Sequence, residues 1–491
     1  MRCTGMQPLN TKGNRMKRKH SLAHNAMYNF LYQLLNVLFP LLSAGYVSRI
    51  LAPEGIGRVM MAQNGVSYFV MLAALGIPSY GTREIARCAD REQQRSIVFS
   101  ELFLINGMAT TVCLAAYALL CPCLIPGDAG LQAAVGLELV FCYVGIDWLF
   151  RGLEAYGRIT ARNLLVKAAS LAALYLFVRD RTDYIVYALI HSLGIGCSGL
   201  YNMLHAGKYV KLKLTGLNLQ RHMRPIFWLL LGSVTASLYS KVDITMLGIL
   251  ADPVSVAYYT NSHKIIGLVL SLVTALTAVF LPRLSYLYAS DSESYSRCLT
   301  DGLQLLLLLA VPACVGICLV ADDLMACVFG SAFLPGAAVL RILAVFTIIK
   351  GAGDLLCYQT IVSSGMERFL FRSRVAAGIA NVVLNAVLIP RYAHCGAAIA
   401  SVISELLVNG LLLPRALRIA SVSLPAGFCA GTLVSTAVMG IGVVLVHDVV
   451  ATAAGSLALT VGTGVLLYGL LQAAVNGKTI RRLWDSIRNH T

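Results

Sequence analysis

Amide side chains recur at Asn25, Asn29, Gln33 and Asn36 inside one apolar stretch, with Pro40 and Ser43 beyond them. Steps of three or four residues place all of these on one face of a helix. Amides donate and accept hydrogen bonds, so such a stripe can hold a hydroxyl-rich ligand against a cavity wall, or it can tie one helix to its neighbours. A later apolar stretch carries Ser233, Ser237 and Lys241 at steps of four, then Asp243, and the next carries Asn261 and Lys264. Arg49 closes the first stretch. Cations at such positions can neutralise an anionic group, or their long stems can reach an interface. Lys241 and Asp243 do not share a helix face, so they do not pair with each other. Lys350 and Asp354 are four residues apart and can pair, which suits a structural bridge as well as a role in transport. Asp147, Arg151 and Glu154, like Arg83, stand where apolar stretches end and can lock a gate or anchor a helix end. Asp147 and Arg151 have helical spacing.

These residues matter because of what surrounds them. Of 491 residues, 58% are hydrophobic and 13% charged, and the mean hydropathy is +0.74. A soluble fold of this length needs far more charge on its surface. A spanning helix uses roughly 20 mostly apolar residues, and about fourteen such stretches can be laid along the chain. A charge at the centre of such a helix costs about 2.5 to 3.5 kcal/mol, so intramembrane polar groups face protein or water. The net charge of +16 does not form one basic face, which argues against nucleic acid. Basic clusters fall instead in alternate connections, and the positive-inside rule then puts both termini in the cytoplasm. The fourteen cysteines show no framework spacing, so neither a metal site nor disulfides are expected.

The expected organisation is a basic tail over residues 1–24, a six-helix bundle over 25–204, a basic linker over 205–224, a second six-helix bundle over 225–418, two further spans within 419–476 and a tail over 477–491. The first bundle has spans at Asn25 to Arg49, Ile56 to Ile77, Ile97 to Leu120, Leu131 to Phe150, Asn163 to Val178 and Tyr184 to Leu204. The fold class is thus an all-α integral membrane protein of about fourteen transmembrane helices, with two six-helix bundles around a central lumen plus two C-terminal helices. An echo supports the division: Ile50-Leu51-Ala52-Pro53 leads into the second span, and Ile249-Leu250-Ala251-Asp252-Pro253 leads into the eighth. Enzymatic signals are weak. The sequence Gly477-Lys478-Thr479 follows a span and has Gln472 where a phosphate loop needs glycine. Asp322-Asp323 has no large external domain around it.

Four stretches in order carry a family resemblance: Tyr46 to Gly57, Leu75 to Ala86, Asp147 to Glu154 and Asp243 to Gly248. With them the sequence resembles Wzx-type polysaccharide flippases, which handle O-antigen, capsule or exopolysaccharide repeat units, in the multidrug, oligosaccharidyl-lipid and polysaccharide exporter superfamily. Ala52 stands where the family often has glycine, and Arg151 where glutamine is common. The resemblance implies a carrier, not an enzyme, that moves undecaprenyl diphosphate-linked oligosaccharide across the bacterial plasma (inner) membrane by alternating access. It implies no cofactor, with coupling to a proton or sodium gradient open, and partners among membrane lipid, a polysaccharide polymerase and chain-length proteins. Asn29, Gln33, Asn36, Arg49, Ser237, Lys241, Asn261 and Lys264 are then candidates for the substrate lumen. Arg83, Asp147, Arg151, Glu154, Asp243, Lys350 and Asp354 are candidates for gating or structural charge. The competing readings are a peptidoglycan-precursor flippase, a cation-coupled multidrug exporter and, more distantly, a membrane glycosyltransferase or polymerase.

Overall fold

A computed structural model describes the backbone of residues 11–124, 128–277, 280–447, 449 and 453–488, and the side chains of those between 39 and 483 except 121–124, 235, 236, 238–240, 275–277, 281, 282, 289 and 453. The described chain is all α. Its helices are α1 (Thr11–Ala74), α2 (Ile77–Arg87), α3 (Glu92–Leu124), α4 (Ala129–Val140), α5 (Asp147–Gly152), α6 (Tyr156–Phe177), α7 (Tyr184–Ala206), α8 (Gln220–Leu250) and α9 (Pro253–Thr277). They continue as α10 (Phe280–Ser290), α11 (Ser292–Phe329), α12 (Gly336–Gly353), α13 (Thr360–Ser363), α14 (Glu367–Ile419), α15 (Ala426–His447), α16 (Ala453–Val475) and α17 (Gly477–Arg488). A π-helical turn over Asp354–Gln359 joins α12 to α13. Among the described residues eight helical runs are long and apolar enough to cross a membrane, and the protein is an integral membrane protein.

Two of those runs, Phe39–Arg87 and Glu367–Ile419, measure 49 and 53 residues, well beyond the roughly 20 that one crossing uses. The first is broken at Ala52 and again at Leu75–Gly76, the second at Ala393. Ala52 sits at φ 56, ψ 173 within α1, and Ala393 at φ 45, ψ −125 within α14. Pro53 explains the first break, because the residue before proline is pushed out of the α region. The expected fourth span, Leu131 to Phe150, is not one helix. α4 ends at Val140, a 3-10 turn covers Phe141–Val144, and α5 restarts at Asp147. Gly145 takes a non-helical ψ of 66 between them, which halts the i to i−4 ladder.

The helices pack as two units. The first holds the chain up to Ser43 and Gly65–Ala236; the second holds Ala44–Asn64 and the chain from Ser237 onward. These units cut across the linear bundles 25–204 and 225–418: residues 44–64 pack with the second unit and 225–236 with the first. In the first unit Ile77, Ile85, Leu102, Ile146, Trp148, Leu149 and Phe150 form a buried core where α2, α3 and α5 meet. The non-helical linker after α7 lies along α3. The backbone N–H groups of Lys211 and Lys213 donate to Ser96 Oγ (3.1 Å) and Ser100 Oγ (2.8 Å). In the second unit Leu284, Leu299, Leu306 and Leu355 centre a core built from α10, α11 and the π-helical turn.

Inside the second unit Gly57, four residues past the first segment of the sequence echo, meets Pro253, the last residue of the second. A Cβ added to Gly57 would lie 1.7 Å from the carbonyl oxygen of Pro253, so only glycine lets the two backbones approach this closely. Changing Gly57→Ala should therefore overpack the contact at about 1 to 3 kcal/mol and lower the melting temperature of the detergent-purified protein. Gly65→Ala on the same helix, where an added methyl meets nothing within 4 Å, should leave it unchanged.

Candidate functional site

In the second unit a hydrogen-bonded line runs from α1 to α9. Lys264 Nζ donates to Asn261 Oδ1 at 3.0 Å, and Asn261 Nδ2 donates to Ser48 Oγ at 3.0 Å. Asn261 is fully buried, so its amide is held from both ends and fixes the ammonium beside it. Arg49, next to Ser48, is exposed and donates from Nη2 to the carbonyl of Cys327 on α11. Lys241 is half-buried on α8, and its carbonyl receives Asn64 Nδ2 (3.5 Å) and Thr245 Oγ1 (3.2 Å). Ser237 is also half-buried. The fold thus brings Asn261 and Lys264 together with the end of the expected first span. Asn29, Gln33 and Asn36 lie on the part of α1 whose side chains are outside the described residues.

Asp243 anchors a second polar group in the same unit. Its Oδ1 accepts from Asn385 Nδ2 at 2.6 Å, and its Oδ2 accepts from Tyr259 Oη at 2.7 Å and Ser401 Oγ at 2.5 Å. Asn385 Nδ2 also donates to Asn381 Oδ1 at 3.1 Å. Asp243, Asn381, Asn385 and Tyr259 are buried, and the groups bonded to this carboxylate are all neutral. Asn385 Oδ1 is buried with no hydrogen-bond partner among the described residues. A carboxylate, amide oxygens and hydroxyls gathered here, with the imidazole of His263 near enough to interact with the carboxylate, form an oxygen-rich set of the kind that hard cations select.

Lys350 Nζ contacts Asp354 Oδ1 at 3.1 Å, the pair allowed by their spacing, and also Glu405 Oε1 of α14 at 3.3 Å. Glu405 is buried. One ammonium thus serves two carboxylates where α12 passes into the π-helical turn, a register change often found at functional positions. Gly353 makes room, since a Cβ there would sit 2.2 Å from Asn409 Oδ1.

The first unit places its charges differently from their sequence grouping. Asp147, four residues before Arg151 on α5, is held by side chains from other helices. Its carboxylate takes a two-pronged contact from Arg162, Nη1 to Oδ1 at 2.8 Å and Nη2 to Oδ2 at 3.3 Å, and Asn202 Nδ2 donates to Oδ1 at 2.5 Å. Arg162 and Asn202 reach it from α6 and α7. Arg151 is half-buried at the end of α5. Glu154 is exposed at a left-handed φ of 54 just past it. Arg83 is exposed, pairs with Glu84 at 3.5 Å and lies 5.3 Å over the Tyr80 ring. Sequence reasoning missed Arg162, Asn202, Glu405, Tyr259, Ser401, and a buried group around Glu101 on α3 that holds Arg221 and His222. The available signal was a carboxylate inside an apolar run, which both Glu101 and Glu405 are.

Comparison with known proteins agrees with this architecture. Residues 22–288 match the family described as "Polysaccharide biosynthesis protein", and residues 199–463 match "Lipid II flippase MurJ". The chain is similar to a candidate O-antigen transporter of Escherichia coli (strain K12), 25% identical over 407 residues that cover 80% of this chain and 96% of the relative. Among solved structures it is similar to the lipid II flippase MurJ in an inward closed conformation, with a TM-score of 0.75, 12% identity and coverage of 93% of this chain and 100% of that one. It is also similar to an inward-facing multidrug resistance MATE family transporter, with a TM-score of 0.66, 16% identity and coverage of 78% and 94%. At these identities the structural likeness concerns the fold.

The Arg162 side chain is 1% exposed and that of Asp147 is 39% exposed. Asp147→Ala should take the carboxylate from a buried guanidinium that keeps Asn163 Oδ1 (2.6 Å) as an acceptor, and destabilise the protein by about 3 kcal/mol, the low end for a broken buried pair because the carboxylate is partly screened. Asp147→Asn keeps an acceptor for Arg162 and should lose less, as read by thermal unfolding of the purified protein.

Proposed function

We propose that this chain, which belongs to the polysaccharide biosynthesis protein family and is a Wzx-type flippase of the multidrug, oligosaccharidyl-lipid and polysaccharide exporter superfamily, translocates undecaprenyl diphosphate-linked oligosaccharide repeat units by alternating access. It is a multi-pass membrane transporter, not an enzyme, and lipid-linked polysaccharide is its class of cargo. The observation that carries the finer reading is the fixed line Ser48–Asn261–Lys264 within apolar helices, with Arg49 beside it. A sugar headgroup with a diphosphate cannot enter hydrocarbon alone, because its hydroxyls and charges would lose their hydration. Amides replace water at the sugar, and ammonium or guanidinium groups replace it at the diphosphate. The polyprenyl tail stays in lipid throughout. The membrane is the bacterial plasma membrane, with both termini in the cytoplasm and the repeat unit passed on to a polymerase and chain-length proteins.

A cation gradient drives the cycle through Asp243. Its carboxylate, Asn381 Oδ1, the unpartnered Asn385 Oδ1 and the hydroxyls of Tyr259 and Ser401 suit a small desolvated cation such as sodium. Binding there would neutralise a charge that its neutral neighbours leave standing. The match of residues 199–463 to the lipid II flippase family favours one second reading, a peptidoglycan precursor as cargo.

Expression in a strain lacking its repeat-unit flippase should restore surface polysaccharide, while a strain depleted of its lipid II flippase should not be rescued. The reverse result would select the second reading. Combined replacement of Arg49, Lys241 and Lys264 by alanine should cut the restored polysaccharide about tenfold or more at unchanged protein level. Retained output would remove these cations from the cargo path. In proteoliposomes, Asp243→Asn should abolish the response of flipping to a sodium gradient, and a full response in that variant would end the coupling assignment.

A further inference from the structure

The arginine-rich end of the first unit contains a cavity of about 200 Å³ whose wall includes Tyr80, Glu84, Arg87, Gln94, Arg221 and His222. Its back is rigidly built. Glu101, buried on α3, accepts from the backbone N–H of Asn218 (2.7 Å), from Arg221 Nε (3.1 Å) and Nη2, and contacts His222 Nε2 at 2.8 Å. The buried His222 ring is fixed on its other side by Tyr80 Oη at 2.8 Å from Nδ1. Arg221 is therefore held at the wall by its Nε and Nη2 edge. Arg87 gives Nη1 to Glu84 at 2.9 Å. In each guanidinium the remaining N–H groups are not used by these carboxylates. Arg95 spends its donors on the carbonyls of Ala89 and Tyr209, and Arg83 lies over the Tyr80 ring. Three guanidiniums, Arg83, Arg87 and Arg221, thus share two carboxylates, Glu84 and Glu101.

We propose that this cavity binds a phosphoryl group, presented by a lipid headgroup or by free phosphate. Two guanidiniums line the cavity, Arg221 steadied by the buried Glu101 and Arg87 by Glu84 of the lining, each with N–H groups to spare, and they match a tetrahedral oxyanion better than a flexible ammonium would. The space exceeds what a bare phosphate fills and leaves room for an ester substituent. Cys88 and Val98 share the lining with the charged and polar groups, and these groups favour a headgroup over an acyl chain as the occupant. The inference does not depend on the transport reading, because its readout is binding.

The test uses full-length protein. In detergent, binding of inorganic phosphate is followed by the melting temperature against chloride at matched ionic strength. In nanodiscs, retention of phosphatidylglycerol is followed against a phosphate-free glycolipid. Arg87 has a side chain 66% exposed and Gln94 is exposed, so Arg87→Gln and Gln94→Glu should fold normally, which their ligand-free melting temperatures check. Wild-type protein should bind at least one probe, and both variants should bind it about tenfold more weakly. Saturable binding of inorganic phosphate identifies a free anion; selective retention of phosphatidylglycerol alone identifies a lipid headgroup. Binding of neither probe, or equal binding by both variants and wild type, overturns the proposal.

Discussion

In hydrocarbon no water is at hand to complete a hydrogen bond, so each polar group on a spanning helix must find its partner within the protein. That constraint organises this molecule. Asp243 is wrapped by two hydroxyls and an amide, Lys350 by two carboxylates, and Asn261 by a hydroxyl on one side and an ammonium on the other. Remove one member and the remainder has nowhere to turn, which makes such clusters costly to disturb. Among the described residues, such clusters gather much of the polar material within the apolar helices.

Periodicity conveyed the membrane class, because the apolar runs are long and the charges avoid them. It also conveyed the Lys350 and Asp354 pair, since helical spacing alone brings those groups within reach. It did not convey Glu405, which comes to Lys350 from a helix more than fifty residues later in the chain. Spacing speaks only of contacts along one helix. For the same reason the spacing of Asp147 and Arg151 said nothing of Arg162 and Asn202, which reach Asp147 from α6 and α7.

The packing units show a further limit. Where a helix passes from one unit to the other, as α1 does near Ala44 and again near Gly65, the residues show no change in apolar character, because membrane helices look alike from either side. The sequence echo was more informative. Gly57, four residues past one of the matching segments, lies backbone against backbone on Pro253, which ends the other. That contact needs no side chain from Gly57, and only the absence of one betrays it.

The way the linker lies on α3 carries an evolutionary consequence. Ser96 and Ser100 grip main-chain N–H groups, so nothing at those two points reads the identity of Lys211 or Lys213. Two residues of extended chain advance about 6.6 Å, close to the roughly 6.0 Å that four helical residues advance, and this match sets the register. Mutation can therefore rewrite the lettering of this stretch freely, save to proline, while the gain or loss of one residue between the two grips would slip the whole strap.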